Sequence, residues 1–250
     1  MKLCRVIHEG DVRYGIVRDE GVITLISDEP FAAWEPVGEM PLVGAEFVAP
    51  IVPTKVVCVG VNYRGHAAEM DHEVPSAPVL FLKPPTSVIG PNADIVWPEM
   101  AARVDHESEL AIVMGRFTRH VSVQDARSCV LGFTCANDVT ARDLQKIDGQ
   151  WTRAKGFDTF CPVGPWVETE LDPSDLSVEC WVDGQLRQAG RTSEMVFDVM
   201  TLVSFISHVM TLLPGDIVLT GTPAGIGPLD RGDQVEVRIE GIGSLHNRLV

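Results

Sequence analysis

Lysine is scarce in this chain, with five residues against fifteen arginines, and acids outnumber bases enough to leave a net charge of −15. Nucleic acid and anionic membrane both require a basic face, so that balance excludes them as partners. The six cysteines (Cys4, Cys58, Cys129, Cys135, Cys161, Cys180) include no C-x-x-C pair and form no ordered framework. Buried free thiols in a reducing compartment are the simplest account of them. No apolar run approaches the roughly twenty residues of a membrane span. Met1-Lys2-Leu3-Cys4-Arg5 leads into charged residues rather than a signal peptide, so a cytoplasmic protein is expected. Internal repeats and low-complexity tracts are absent. The scarcity of lysine gives Lys83 and Lys155, both in apolar settings, more weight than generic solubilising charges.

At 250 residues the chain fits one large domain, or one domain with a small appendage. Residues 2–8, 12–17 and 21–26 read as short strands joined by tight turns. Residues 27–50 have little period and are expected to be an irregular connection, with a domain boundary near residue 50. Further strands are expected at Lys55 to Val59, Val79 to Leu82, Leu110 to Met114, Cys129 to Ala136, Ser177 to Val182 and through the last forty residues. A short helix fits residues 64–69, and Ser122 can cap another. The one long helix candidate is Ser193 to Leu213, whose apolar residues recur near helical spacing before Pro214-Gly215. Strands outnumber helices, so the class is strand-rich α+β.

Glu107 and Glu109 lie two residues apart in what reads as a strand, Val104-Asp105-His106-Glu107-Ser108-Glu109-Leu110. On a strand such residues share a face, about 6.6 Å apart along the chain. Two carboxylates in one space cost energy unless a cation lies between them or one is protonated. A third, Asp138, ends the run Cys129 to Ala136. Three hard oxygen ligands with no His or Cys suit Mg²⁺ or Mn²⁺, with Ca²⁺ also possible, rather than Zn²⁺. A solvent-facing strand with alternating acids is the other reading of the same spacing. His66 and Glu69 stand three apart, on one helical face, where the carboxylate can fix the imidazole tautomer and make the other nitrogen a better base. A surface pair without consequence is the alternative. Lys155 could stabilise developing negative charge, or simply pair with Asp158. The segment Thr220 to Gly227 is glycine-rich and hydroxyl-bearing, but it lacks the G-K-[ST] element of a phosphate loop. The remaining histidines, His72, His106, His120, His208 and His246, share no metal-ligand spacing.

Six stretches in order, VGVNYRGHAAE (59–69), PVLFLKPPTSVIGP (78–91), VDHESELAIVMG (104–115), GFTCANDVTARDLQ (132–145), AKGFDTFCPVGPWV (154–167) and LPGDIVLTGTPAGIGPL (213–229), resemble the fumarylacetoacetate hydrolase family. They span residue 55 to the C-terminus. The first fifty residues look like the small strand-rich domain that many members carry, which implies domains at 1–50 and 51–250. The resemblance implies a mixed β-sheet roll, a homodimer, and a divalent cation held by Glu107, Glu109 and Asp138. It also implies a water-activating dyad of His66 and Glu69 on a segment, 66–76, that folds over the ligand. Lys155 matches a lysine that stabilises substrate charge, Arg142 and Gln145 match residues near the substrate, and Thr222 matches a contact to a substrate carboxylate. Tyr63 and Lys83, from the first two stretches, complete the candidate substrate-binding set. This sequence has Val61 where some members that act on short acylpyruvates carry a basic residue.

The expected activity is metal-dependent hydrolysis of a carbon–carbon bond in a β-diketo acid of the acylpyruvate type. Decarboxylation of a β-keto acid such as oxaloacetate and isomerisation of 2-hydroxyhepta-2,4-diene-1,7-dioate are the alternatives from the same chemistry. A catalytically silent metal-binding homologue is the non-enzyme alternative, and it predicts erosion of the dyad, the acids or Lys155, all of which are present.

Overall fold

The computed structural model describes residues 1–250. Three sheets organise it. The largest has its strands in the order Pro36–Pro41, Val22–Ile26, Asp11–Val17, Lys2–His8, Cys161–Glu168, Val130–Asn137, Ser108–Met114, Ile217–Leu219, Val56–Gly60 and Val79–Lys83. Most neighbours are antiparallel, but Ile217–Leu219 runs parallel to Val56–Gly60. A second sheet joins Gln185–Arg191, Ser177–Val182, Gln234–Ile239, Gly243–Leu249 and Asp94–Ile95. A third, small sheet joins Thr140–Ala141, Val104–His106 and Gly227–Leu229. The strand-rich α+β class with mixed sheets is thus what the structure shows, and no helix is long and apolar enough to cross a membrane.

Alternation and continuous apolar runs explain the layering. Ser108–Met114 is buried at every position, as a strand covered on both faces must be. Leu110, Ile112 and Phe133 pack with Val178, Val237 and Ile239 of the second sheet and with Leu202, Val203 and Ile206 of the helix Val199–Val209. That helix buries Val199, Leu202, Val203 and Ile206, the spacing of one amphipathic face. All six cysteines are free and buried, and burial pushes the thiols of Cys4, Cys161 and Cys180 up to about 12.

Two sequence expectations change. The span read as irregular, 27–50, contains the strands Pro36–Pro41 and Glu46–Val48, which pair with Val22–Ile26 and Lys2–His8. Pro36–Pro41 is an almost wholly exposed edge strand flanked by prolines, so it carries no alternation to read. The long helix is also shorter than the pattern over Ser193 to Leu213. Asp198 caps it by accepting the Thr201 N–H at 2.8 Å. Residues 196–197 stay extended because Asn62 holds them. Its backbone carbonyl accepts the Val196 N–H at 2.8 Å, its Oδ1 accepts the Phe197 N–H at 2.9 Å, and its Nδ2 donates to the Phe197 carbonyl at 3.0 Å.

Candidate active site

The chain changes sheets at Glu107. The first acidic segment is therefore two strands, Val104–His106 and Ser108–Met114, with Glu107 at the break. Side-chain amides replace ladder partners there. The Glu107 N–H donates to Asn137 Oδ1 and the Ser108 N–H to Gln188 Oε1, both at 2.9 Å. The Asp138 N–H, just beyond Val130–Asn137, donates to the Glu107 carbonyl at 2.9 Å. These contacts bring the three acids together: carboxylate oxygens of Glu107, Glu109 and Asp138 lie within 4.8 Å of one another, all buried.

Cations surround the cluster unevenly. Lys155, on the short helix Thr152–Lys155, donates to Glu107 Oε2 at 2.8 Å and to Asp138 Oδ2 at 2.6 Å, rather than to Asp158. Arg142 opens the helix Arg142–Asp148, pairs with Glu107, and donates through Nε to Asp105 Oδ2 at 2.9 Å. Glu109 meets no cationic side chain. Its partner is the Gly221 N–H, at 2.6 Å. Gly221 has φ +95°, and a Cβ there would lie 2.8 Å from the Asn62 Cβ, so only glycine brings that N–H so close.

The electrostatics follow. Burial pushes the Glu109 carboxyl well above the usual carboxylate range, and the charges of Asp138 and Glu107 push the same way, against weaker opposition from Lys155 and the Gly221 N–H. Burial also pushes Glu107 upward, but Lys155, Arg142 and His66 outweigh it and hold that carboxyl below the usual range. Lys155 remains a cation, since Asp138 and Glu107 outweigh the effect of its burial. A buried carboxylate with no counter-charge calls for a proton or a cation. The donor set is hard oxygen, so the residues present fit a divalent ion of the Mg²⁺, Mn²⁺ or Ca²⁺ kind.

The acids form the floor of a cavity of about 360 Å³, also lined by Val61, His66, Met70, Phe81, Arg142, Gln145, Trp151, Lys155 and Thr222. His66 sits on the helix Arg64–Glu69, with Nδ1 3.1 Å from Glu69 Oε2 and no protein partner at Nε2. Glu69 is itself held, its Oε1 accepting the Gly225 N–H at 3.0 Å. Thr222 Oγ1 donates to the Ser108 carbonyl at 2.8 Å and accepts from Gln188 Nε2 at 2.7 Å. Gln145 accepts from Arg142 at 2.6 Å. Val61, beside the cavity, has φ +57°, a left-handed conformation that costs a β-branched residue about 1–3 kcal/mol. The neighbouring Asn62 amide, which also donates to the Thr220 carbonyl at 2.7 Å, over-determines it.

Two candidates fall elsewhere. Lys83 does not line the cavity: it is buried behind Asp138, with which it pairs, and donates to the Val139 carbonyl at 3.1 Å. A lysine at a strand end that turns inward to a buried carboxylate has no reach left for a ligand. Tyr63 is buried and faces a separate recess with Arg64, Glu194 and Pro223. Burial, with the charges of Glu109 and Glu194, raises its phenol. Sequence reasoning missed Asp105, Asn62 and Gln188, which position the others. Only Asp105 had a signal, the acidic alternation it shares with Glu107 and Glu109. A larger open groove of about 870 Å³, lined by Arg127, Glu170, Asp172 and Asp198, has only exposed ionisable residues and no convergent set.

Comparison with known proteins places this geometry. Residues 55–250 match the family model described as fumarylacetoacetate (FAA) hydrolase, C-terminal, and residues 1–50 match Rv2993c-like, N-terminal. The chain belongs to the fumarylacetoacetate hydrolase family. It is 52% identical to protein Rv2993c of Mycobacterium tuberculosis over 90% of this chain and 86% of that one. It is 41% identical to the human mitochondrial oxaloacetate tautomerase FAHD2A, over 93% of this chain and 78% of that one. Among solved structures it matches a 5-carboxymethyl-2-hydroxymuconate delta-isomerase from Mycobacterium smegmatis with TM-score 0.94 and 47% identity, covering 100% of this chain and 99% of that one. It also matches a maleylpyruvate hydrolase from Sphingobium sp. SYK-6, in complex with manganese(II) ion and pyruvate, with TM-score 0.84 and 32% identity, covering 100% and 99%. The family includes hydrolases, isomerases and tautomerases of oxo acids.

Proposed function

We propose that this protein hydrolyses the carbon–carbon bond of a β-diketo acid of the acylpyruvate type, yielding pyruvate and a carboxylate. The observation that carries this reading is the His66–Glu69 pair beside the acid cluster, with Nε2 of the imidazole free of protein partners. Glu107, Glu109 and Asp138 are the residues that would hold a divalent cation, Mg²⁺ or Mn²⁺, which when bound supplies Lewis-acid polarisation of the 2-oxo acid. Glu69, fixed by the Gly225 N–H, orients His66 to accept a proton from water at Nε2. The hydroxide attacks the distal carbonyl carbon. The bond between that carbon and the methylene breaks, its electron pair passing to the pyruvate half as an enolate, and the acyl half leaves as a carboxylic acid. The protonated His66 returns the proton to the enolate carbon. Lys155, charged throughout, offsets the negative charge that develops. Closure of the 66–76 segment excludes bulk water from the exchange. The same reading carries a homodimer, which light scattering on the purified protein tests.

The test is pyruvate release from acetylpyruvate and longer homologues, with Mg²⁺, Mn²⁺ or chelator. Chelator should abolish release. His66→Ala should slow it about 10²- to 10⁴-fold while Mn²⁺ binding persists. Normal turnover by that variant overturns the dyad assignment.

A second reading draws on the tautomerase and isomerase relatives, which share more identity with this chain than the maleylpyruvate hydrolase does. In it His66 moves a proton between carbon and oxygen of an oxo acid without water attack. Loss of enol absorbance from oxaloacetate or a dienoate, with no pyruvate from any acylpyruvate, would select it.

A further inference from the structure

Three permanent cations line the cavity: Arg142, Lys146 and Lys155. Arg142 and Lys155 are committed to Asp105, Glu107 and Asp138. Lys146 has no carboxylate partner and is exposed. It stands four residues after Arg142 on the helix Arg142–Asp148, about 6 Å further along the axis and on the same face. The direction from Arg142 to Lys146 therefore runs from the cavity floor, where Arg142 touches Glu107, to its mouth. Around the mouth the remaining lining is apolar or neutral: Val61, Met70, Phe81, Gly149 and Trp151. The chain as a whole carries −15, a field that repels any dianion. A free cation at the entrance is the local device that admits one.

We infer that Lys146 forms a distal anion subsite, and that the substrate is a short-chain oxo acid bearing a second carboxylate at the end remote from the acid cluster. This deepens the proposed oxo-acid function and rests on it. Val61 leaves the first motif without a basic side chain at the cavity. Lys146 supplies that charge from a different element, so the second carboxylate is met by the helix rather than by the segment that carries His66. The apolar rim of Phe81 and Trp151, packed edge to face at 5.1 Å, suits the methylenes between the two ends. Because the lysine is exposed, the attraction weakens as salt screens it.

The experiment compares two acylpyruvates of equal shape on the Mn²⁺-loaded enzyme. One ends in a carboxylate (succinylpyruvate), the other in an isopropyl group. The wild type should favour the carboxylate-ended substrate by about tenfold or more in kcat/KM, the scale of one hydrogen bond to a charged group. Lys146→Met should bring the ratio close to one, and Lys146→Arg should keep it. Rising ionic strength should shrink it in the wild type and leave it flat in Lys146→Met. A second arm titrates the Mn²⁺-loaded protein with 2-oxoadipate and its isopropyl-ended isostere, neither of which can be cleaved, and reads affinity by calorimetry. If neither acylpyruvate is cleaved but 2-oxoadipate binds better in a Lys146-dependent manner, the hydrolase reading fails and the subsite stands. Equal affinities for the two oxo acids, or a preference that Lys146→Met leaves intact, overturns the subsite.

Discussion

Two buried carboxylate knots lie at the two ends of one strand, Ile217–Leu219, and they are built to opposite specifications. At the start, Asp216 accepts from the Thr54 N–H at 3.2 Å, the Thr54 hydroxyl at 2.6 Å, the Lys55 N–H at 3.1 Å and the Leu213 N–H at 2.7 Å, and it pairs with the Lys55 ammonium. Its oxygens are saturated. Just past the other end, Glu109 accepts one backbone N–H and faces two further carboxylates. Both groups are buried, and both sit where the sheet's strands end. The difference is acceptor capacity left over. A carboxylate whose lone pairs the protein has filled is a structural tie between neighbouring strands. One whose lone pairs are left open, at an electrostatic cost, keeps a place for a ligand.

The contrast can be broken from either end. Asp216→Ala strands the Lys55 ammonium and three backbone donors, and should lower unfolding stability by about 3–5 kcal/mol in urea denaturation. A loss no larger than a surface substitution would erase the distinction. Mn²⁺ at a hundred times its dissociation constant should stabilise the wild type by about 2.7 kcal/mol, while Glu109→Gln should lose most of that gain. An equal gain in the variant would place the ion elsewhere. The smallest effect is also the most diagnostic: Glu109→Gln should raise the stability of the metal-free protein by about 1 kcal/mol, because it removes an uncompensated buried charge. Destabilisation in that variant would mean the carboxylate serves the fold after all.

The same contrast explains what could be read from the sequence. Glu107, Glu109 and Asp138 were legible because acids in apolar, strand-like surroundings violate the rule that charges face water, and strand geometry sends neighbours of equal parity one way. His66 with Glu69 was legible through helical spacing. Lys83 was legible as unusual but not as to role: a lysine in an apolar strand can point to a ligand or to a buried acid, and only tertiary packing settles which. Asn62 and Gln188 gave no signal, since an amide that bridges residues 126 or more positions away, such as Asn62 to Phe197 and Thr220, leaves no local period. The break at Glu107 was hidden for the same reason, because Asn137 and Gln188 replace the missing ladder bonds from elsewhere in the chain. The helix over Val199–Val209 was overextended because its apolar rhythm continues into residues that Asn62 holds extended.

The Asn62 amide has a consequence for how the molecule can change. It fastens the root of the segment bearing His66 to the loop before a long helix and to the turn that supplies the Gly221 N–H. Residues beyond Glu69, a polar stretch up to the strand Val79–Lys83, hang from that fixed root. New sequence there can reshape the entrance while the anchorage of the base stays where it is. Selectivity and reactivity are thereby separable by mutation, and a library confined to residues 70–78 samples the first without touching the second.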